Sequence, residues 1–548
     1  MAGRRRAGLS IARLWFVAIL PSLFAQYAHG PAAEAVAILS AVKAATGGAQ
    51  WERVRTWHAR GTFEQSDLKG TFEQWLDFRR PLSYMDQRLT SPVLGSIRST
   101  DGWNGKVSWS ADQTGDVYLA ESEEARRQAV GSAYVETFAY LFGSRSSAEM
   151  TAKPDRSADG ERFQIVEVVP RGADPLELWV DPATHTVRRI AQLRGTERTT
   201  TTFGDFRPVA GLTVPFQARE STGKSGQFWS LRSAAAIEVN LARPVRIFDP
   251  PRPALTGVQF PEGRDSVTVD FRFIDNEIYL PVSVNGLPQE KFVFDTGSTN
   301  AIDTRKALVL GLKVEMAGAT FGGGPEAAPA GMTKVNSLAI GGLRMENQVF
   351  DTTIFPGEPG EIVDGTVGYE LARRTVVVID YASRRITFVK PRSFHLPAHA
   401  TAMPFRFAEK TEVLVTASVD GIRGDFLLDT GSGSALNLNH PFAERNGLLR
   451  KYGSGGEGGA VGVGGMARVV LFVPSEFAIG NLRPKVSEAA IFVSDSGGGT
   501  QEHVDGSIGN VLLKQFVLTF DYAHRMVYFQ KNAAFGKHGS ETREVAIR

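Results

Sequence analysis

Cysteine is absent from all 548 residues. That excludes disulfides, a lipid-modified N-terminal cysteine, thiolate metal sites and a cysteine nucleophile. Histidine is sparse too, with nine residues, and none falls in a convincing ligand cluster. His395 and His399 are four apart, but Pro397 between them breaks the helix that such a metal pair needs. No metal and no cofactor is therefore expected. An excess of one charge is also missing: 61 Lys+Arg face 59 Asp+Glu. Arg4, Arg5, Arg6 and Arg13 all lie in the first 30 residues, which hold no acid, so the rest carries 57 basic against 59 acidic residues. The basic balance belongs to a leader, and no nucleic-acid surface is expected.

Long apolar runs are confined to that leader. A basic start, the apolar stretch from Leu14 to Ala25 and small residues after it read as a secretory signal over 1–30. Ala33-Glu34-Ala35 offers a cleavage site, with Ala28 and Gly30 as rivals, and an uncleaved anchor is the alternative. Membrane contact would come only through this segment if it stayed uncleaved. The expected location is periplasmic or secreted, in an exported bacterial protein. Without disulfides, stability must come from hydrophobic cores, and a chain of this length needs two to four domains.

From 36 to 243 the chain reads as a β-rich accessory domain. A short helix is expected over Val36 to Thr46, ended by Gly47-Gly48. Alternating segments separated by turn signals then predict a mostly antiparallel sheet, with one helical insertion over Glu123–Gly143. Asp101-Gly102-Trp103, Leu178-Trp179-Val180-Asp181-Pro182 and Phe203-Gly204-Asp205-Phe206-Arg207-Pro208 resemble pieces of the sorting-type carriers of outer-membrane lipoproteins. That resemblance implies a curved antiparallel sheet wrapped around a helix and an apolar cavity, with a lipid or lipoprotein as partner. A generic β-rich domain fits the same residues. Pro244, Pro250, Pro251, Pro253 and Pro261 mark 244–264 as a linker.

Beyond the linker the chain repeats itself. Phe271-Arg272-Phe273 returns as Phe405-Arg406-Phe407, and Asp295 as Asp429, both at an offset of 134. Gly311-Leu312 returns at 136, Ala339-Ile340-Gly341 at 139, and Asp364-Gly365 and Asp380-Tyr381-Ala382 at 141. The order is kept while the offset drifts upward by small insertions. Two copies of one fold are expected, over 265–390 and 404–532, joined by a solvated linker at 391–403. Asp364 and Asp505, each before a glycine, read as turn residues.

In both copies an apolar strand runs into Asp-Thr-Gly-Ser, at Asp295–Ser298 and Asp429–Ser432. Val367-Gly368 and Ile508-Gly509 follow downstream, each with a leucine three residues beyond the glycine, Leu371 and Leu512. This pattern resembles the aspartic peptidases, closest to the retroviral type, and covers about half of the chain. The resemblance implies a mainly β, bilobal acid-protease fold of two retropepsin-like lobes. It also implies that Asp295 and Asp429 form a catalytic dyad acting on peptide or protein substrates. Thr296 and Thr430 would cross-link the two loops, Gly297 and Gly431 would present N–H groups, and Ser298 and Ser432 would bond the outer carboxylate oxygens. Gly368 and Gly509 would let a strand pass under each loop. Independently of any family, two carboxylates held together share one proton, giving a base and an acid side by side.

Glycine-rich stretches at Gly318–Gly331 and Gly453–Gly465 are the candidate flaps. The first holds Phe321 and no tyrosine, and Tyr452 borders the second. Neither ends in the Lys-Ser/Thr of a phosphate loop. Two functions follow: an exported aspartic endopeptidase, or a non-catalytic periplasmic carrier of lipid, lipoprotein or peptide. A third arrangement is a precursor inhibited by its own N-terminal region.

Overall fold

Short turns join the strands of the N-terminal half, so most of them pair with their neighbours in sequence. The computed structural model describes residues 30–537, apart from 66–67, 143–146, 195–196, 223–227, 245, 254–256, 321, 358–361, 409–410, 495 and 503. Residues 1–29 of the leader and Phe321 lie outside the described residues. The protein is mainly β. Thirteen strands between Thr56 and Val239 form one antiparallel sheet made of two meanders. They join where the first strand, Thr56–Gln65, pairs with the last, Phe228–Val239.

Two helices serve this sheet. Helix α1 (Pro31–Ala45) starts earlier than its alanines suggest, because Pro31 supplies a preset first-turn φ. Its Ala33-Glu34-Ala35 stretch lies inside the helix. Ile38, Leu39 and Val42 are buried against the sheet, each contributing roughly 1.5–3 kcal/mol. Helix α2 (Glu123–Glu136) is capped by the Ser122 hydroxyl, which accepts the Ala125 N–H at 3.0 Å. It is shorter than the helix expected over 123–143. Phe138 turns into the left-handed region (φ 50°) and its ring joins Trp51, Trp57 and Phe78. Aromatic packing outweighs helix continuation there.

The proline-rich stretch 244–264 is tied at both ends. Trp109 Nε1 donates to the Phe248 carbonyl at 2.8 Å, and Val258–Gln259 pairs with the strand Leu343–Thr353. The stretch 391–403 likewise differs from a solvated linker, since Thr401–Pro404 pairs with Met526–Lys531. Backbone hydrogen bonding claims these segments despite their prolines.

The C-terminal half has two nine-stranded sheets, one per copy, and a six-stranded sheet to which both copies contribute. At the centre of the shared sheet Val376–Asp380 runs antiparallel to Phe516–Asp521, and Val378 sits opposite Thr519. Those two positions are 141 apart, the offset of this region, so each pairs with its own counterpart. A local two-fold axis passes between them. One continuous hydrophobic core fills both lobes, with Phe292, Phe294, Phe388, Phe426, Phe516 and Phe520 fully buried.

Candidate active site

The strand Leu287–Phe294 buries its last three side chains in a row and Ile422–Leu428 buries alternate ones, and each then emerges at its aspartate, Asp295 or Asp429. Each aspartate is fixed by the strand beside it. The Asp295 N–H donates to Val367 O and the Asp429 N–H to Ile508 O, both at 3.0 Å. The glycine two residues on donates its N–H back to the carboxylate: Gly297 to Asp295 Oδ1 at 2.8 Å, Gly431 to Asp429 Oδ1 at 3.0 Å.

The two loops interlock through their threonines, both fully buried. The Thr430 hydroxyl accepts the Thr296 N–H at 3.0 Å and donates to Phe294 O at 2.9 Å. The Thr296 hydroxyl accepts the Thr430 N–H at 3.2 Å and donates to Leu428 O at 2.6 Å. Both carboxylates thereby meet at one point. A Cβ placed on Gly297 would stand 3.3 Å from Asp295 Oδ1 and 3.8 Å from Asp429 Oδ1; one on Gly431 would stand 2.4 Å from Asp295 Cγ. At Gly431 only glycine leaves room, while at Gly297 a side chain would press on the carboxylate. Gly368 and Gly509 have the same necessity from below, where a Cβ would come within 2.2 Å of Ser298 O and 2.5 Å of Ser434 O respectively.

The serines behave differently from the expectation that they bond the outer carboxylate oxygens. The Ser298 hydroxyl donates to Thr299 O at 3.0 Å and lies 3.3 Å from Thr366 Oγ1. Ser432 and Ser434 share a hydroxyl contact of 2.8 Å. Glycine N–H groups already occupy the Oδ1 atoms, and the serine hydroxyls close their own loops instead. Asp364 and Asp505 stand away from the dyad. The first pairs with Lys306 at 3.2 Å; the second accepts the Asp425 N–H at 2.7 Å and pairs with Arg445.

Burial raises both dyad carboxyls above the ordinary range, and the Asp295 charge pushes Asp429 further. N–H groups from the glycines pull the other way. The pair thus holds one proton over a wide span of pH.

The copies diverge directly behind the dyad. Asn510 donates from Nδ2 to Thr430 O and accepts the Tyr381 hydroxyl through Oδ1, each at 2.7 Å. Its counterpart is Tyr369, which donates to Val117 O at 3.0 Å and stacks on Tyr118 of the N-terminal sheet at 5.2 Å. Buried Asp116 meets Arg373 at 2.5 Å and Arg374 at 2.9 Å, while Glu121 pairs with Arg525 at 2.6 Å. One N-terminal segment therefore grips both lobes, an arrangement that no motif in the chain announces.

Glu370, beside this cluster, accepts the Asn300 N–H at 2.7 Å, and burial pushes its carboxyl up to about 8. A raised folded-state pKa stabilises the protein below the unfolded value of 4.5, and the gain is lost as pH rises through about 8. Glu370→Gln keeps the acceptor oxygen and cannot ionise. The variant's melting temperature should rise relative to wild type between about pH 5 and about pH 9, by the equivalent of a few kcal/mol. An unchanged difference in thermal scans at the two pH values would refute this.

Each copy also carries a glycine-rich hairpin, Val314–Thr320 with Ala328–Ile340 and Gly456–Gly462 with Gly465–Phe472. Their tips pair with each other. Gly324 N–H donates to Val463 O at 2.9 Å and Glu326 N–H to Gly464 O at 3.0 Å.

Fold and site together define a β protein with a carboxylate pair held where two lobes meet. Residues 280–371, which include Asp295 and Gly368, match the model of a family described as aspartyl protease. No curated protein matches the chain. Among solved structures, one described as an outer membrane lipoprotein-sorting protein domain from Vibrio parahaemolyticus is similar over 40% of this chain and 97% of its own. Its identity is 12% and its TM-score 0.29, a likeness that bears on neither fold nor function.

Proposed function

We propose that the protein is an exported aspartic endopeptidase whose Asp295/Asp429 dyad activates water against a peptide bond. The observation that carries this reading is the reciprocal threonine lattice that brings the two carboxylates together. The ionised aspartate takes a proton from water as the water oxygen bonds to the carbonyl carbon, and the protonated aspartate donates to the carbonyl oxygen. Collapse of the resulting diol breaks the C–N bond, and the amine leaves with a proton from the dyad. No covalent enzyme intermediate forms. The paired hairpins would part to admit the peptide and close again over it.

A second reading rests on one observation. Between the N-terminal sheet and α2 lies a cavity of about 150 Å³ lined by Trp57, Phe72, Leu76, Phe138, Phe203 and Phe216. Such a chamber supports a lipid or lipoprotein ligand, carried with or without proteolysis.

A mixed peptide library incubated with the purified protein from acid to neutral pH separates the readings. Internal cleavage is expected, blocked by a peptide bearing a secondary alcohol in place of the scissile carbonyl. No cleavage anywhere in that range, with an acyl ligand found by native mass spectrometry, would favour the carrier.

A further inference from the structure

Two glutamates stand in the same relation to the two aspartates. In the first lobe the ladder ends at Tyr279 opposite Val293; extending its register by two residues, just past the strand end at Phe294, brings Glu277 to the level of Asp295. In the second lobe the ladder ends at Leu414 opposite Leu427, and the same two-residue extension brings Glu412 to the level of Asp429. Ile278 pairs with Phe273 and Val413 with Phe407, so the glutamates match hairpin by hairpin as well. Sequence offsets hide the match. Counted at 134, Glu277 falls on Thr411, because one extra residue occupies the turn of the second copy.

Residues at matching levels of an antiparallel pair share a face, and like charges there repel. Both glutamates are partly exposed, hence within reach of a ligand. Glu277 accepts the Tyr279 hydroxyl at 3.0 Å and forms no ion pair among the described residues. It also lies at the junction of the lobes. A Cβ on Gly433, in the loop after Asp429, would meet Asp275 O at 2.6 Å, and Lys514 Nζ donates to Asn276 Oδ1 at 3.3 Å. The carboxyl of Glu277 is pushed up to about 7 by burial, with Asp295 adding to the effect, and both glutamates raise Asp429. Four acids thus converge where only two are needed for water activation.

We infer that Glu277 and Glu412 form acidic subsites, one on each side of the dyad, that select a lysine or arginine side chain next to the scissile bond. A bound ammonium or guanidinium relieves the repulsion between each glutamate and its aspartate, and a neutral side chain leaves it in place. This inference rests on the endopeptidase reading for its substrate and can fail separately from it.

The experiment uses two sets of designed peptides, identical except for lysine or norleucine on either side of a central peptide bond. Hydrolysis is measured on each, and binding by fluorescence anisotropy with the secondary-alcohol versions. Wild type is expected to favour lysine by about tenfold or more in kcat/KM and in affinity. The ratio should fall severalfold in Glu277→Gln or Glu412→Gln and approach unity in the double variant. Cleavage with equal ratios in wild type and variants overturns the subsites while the peptidase reading stands. Lysine-dependent binding without any cleavage supports the subsites and removes the peptidase reading. Should Glu277→Gln fold poorly by thermal scan, the wild-type lysine preference must shrink with added salt; a salt-independent ratio counts against the proposal.

Discussion

On the endopeptidase reading, Asp295→Asn is expected to lower kcat by roughly 10⁴-fold or more, with KM nearly unchanged. The substitution is isosteric, and its amide oxygen can still accept the Gly297 N–H that Asp295 Oδ1 accepts at 2.8 Å. The threonine lattice is not touched. What disappears is the group that exchanges a proton with water or carbonyl. Asp429→Asn should lose as much, and the double variant no more than either single one, because the pair acts as a unit. Wild-type activity should follow a bell-shaped pH profile. It falls on the acid side when both carboxyls are protonated, and on the alkaline side when both are ionised. Burial moves both carboxyls upward, so the alkaline limb lies above the ordinary carboxylate range. Initial rates for the three variants across pH check each statement, and residual activity above one per cent of wild type (~10⁻²,) would disqualify the dyad.

Thr430→Val has the second large effect, through the fold. Valine has nearly the same shape but leaves Phe294 O without its donor and the Thr296 N–H without its acceptor. Each orphaned, fully buried group costs about 1–3 kcal/mol, so a loss of roughly 2–6 kcal/mol is expected. Activity should fall together with stability, since the same bonds align the aspartates. Thr430→Ser retains the hydroxyl and should restore most of both. Denaturant titration with parallel rate measurements tests the pair; a serine variant as weak as valine would place the effect in the lost methyl instead.

The dyad loops could be read from the chain because every part of them is local: an apolar strand, an acid, a hydroxyl, a glycine. The order of matching segments then pointed Asp295 toward Asp429. Ser298 and Ser432 are less legible, since a hydroxyl beside a carboxylate has several acceptors within reach and only geometry chooses among them. The pairing of the linker segments is hidden for a related reason. Proline disfavours a central strand but tolerates an edge, and Val258–Gln259 and Thr401–Pro404 both lie at sheet edges. Asp116, Glu121 and the arginines they meet left no trace in the sequence, because pairs more than 200 residues apart have no spacing rule. Glu277 and Glu412 were hidden by a single inserted residue.

Joining the lobes in one chain has a consequence that two identical subunits could not have. Asn510 ties its side chain to the loop of Asp429, whereas Tyr369, at the matching place, is drawn toward the N-terminal sheet. Identical halves present a bound peptide with the same surroundings whichever way it lies, so neither orientation is preferred. Here the two dyad loops are anchored differently, so on the endopeptidase reading the amino-terminal and carboxy-terminal sides of a bond would meet unlike halves. Fusion would then give the cleft a direction.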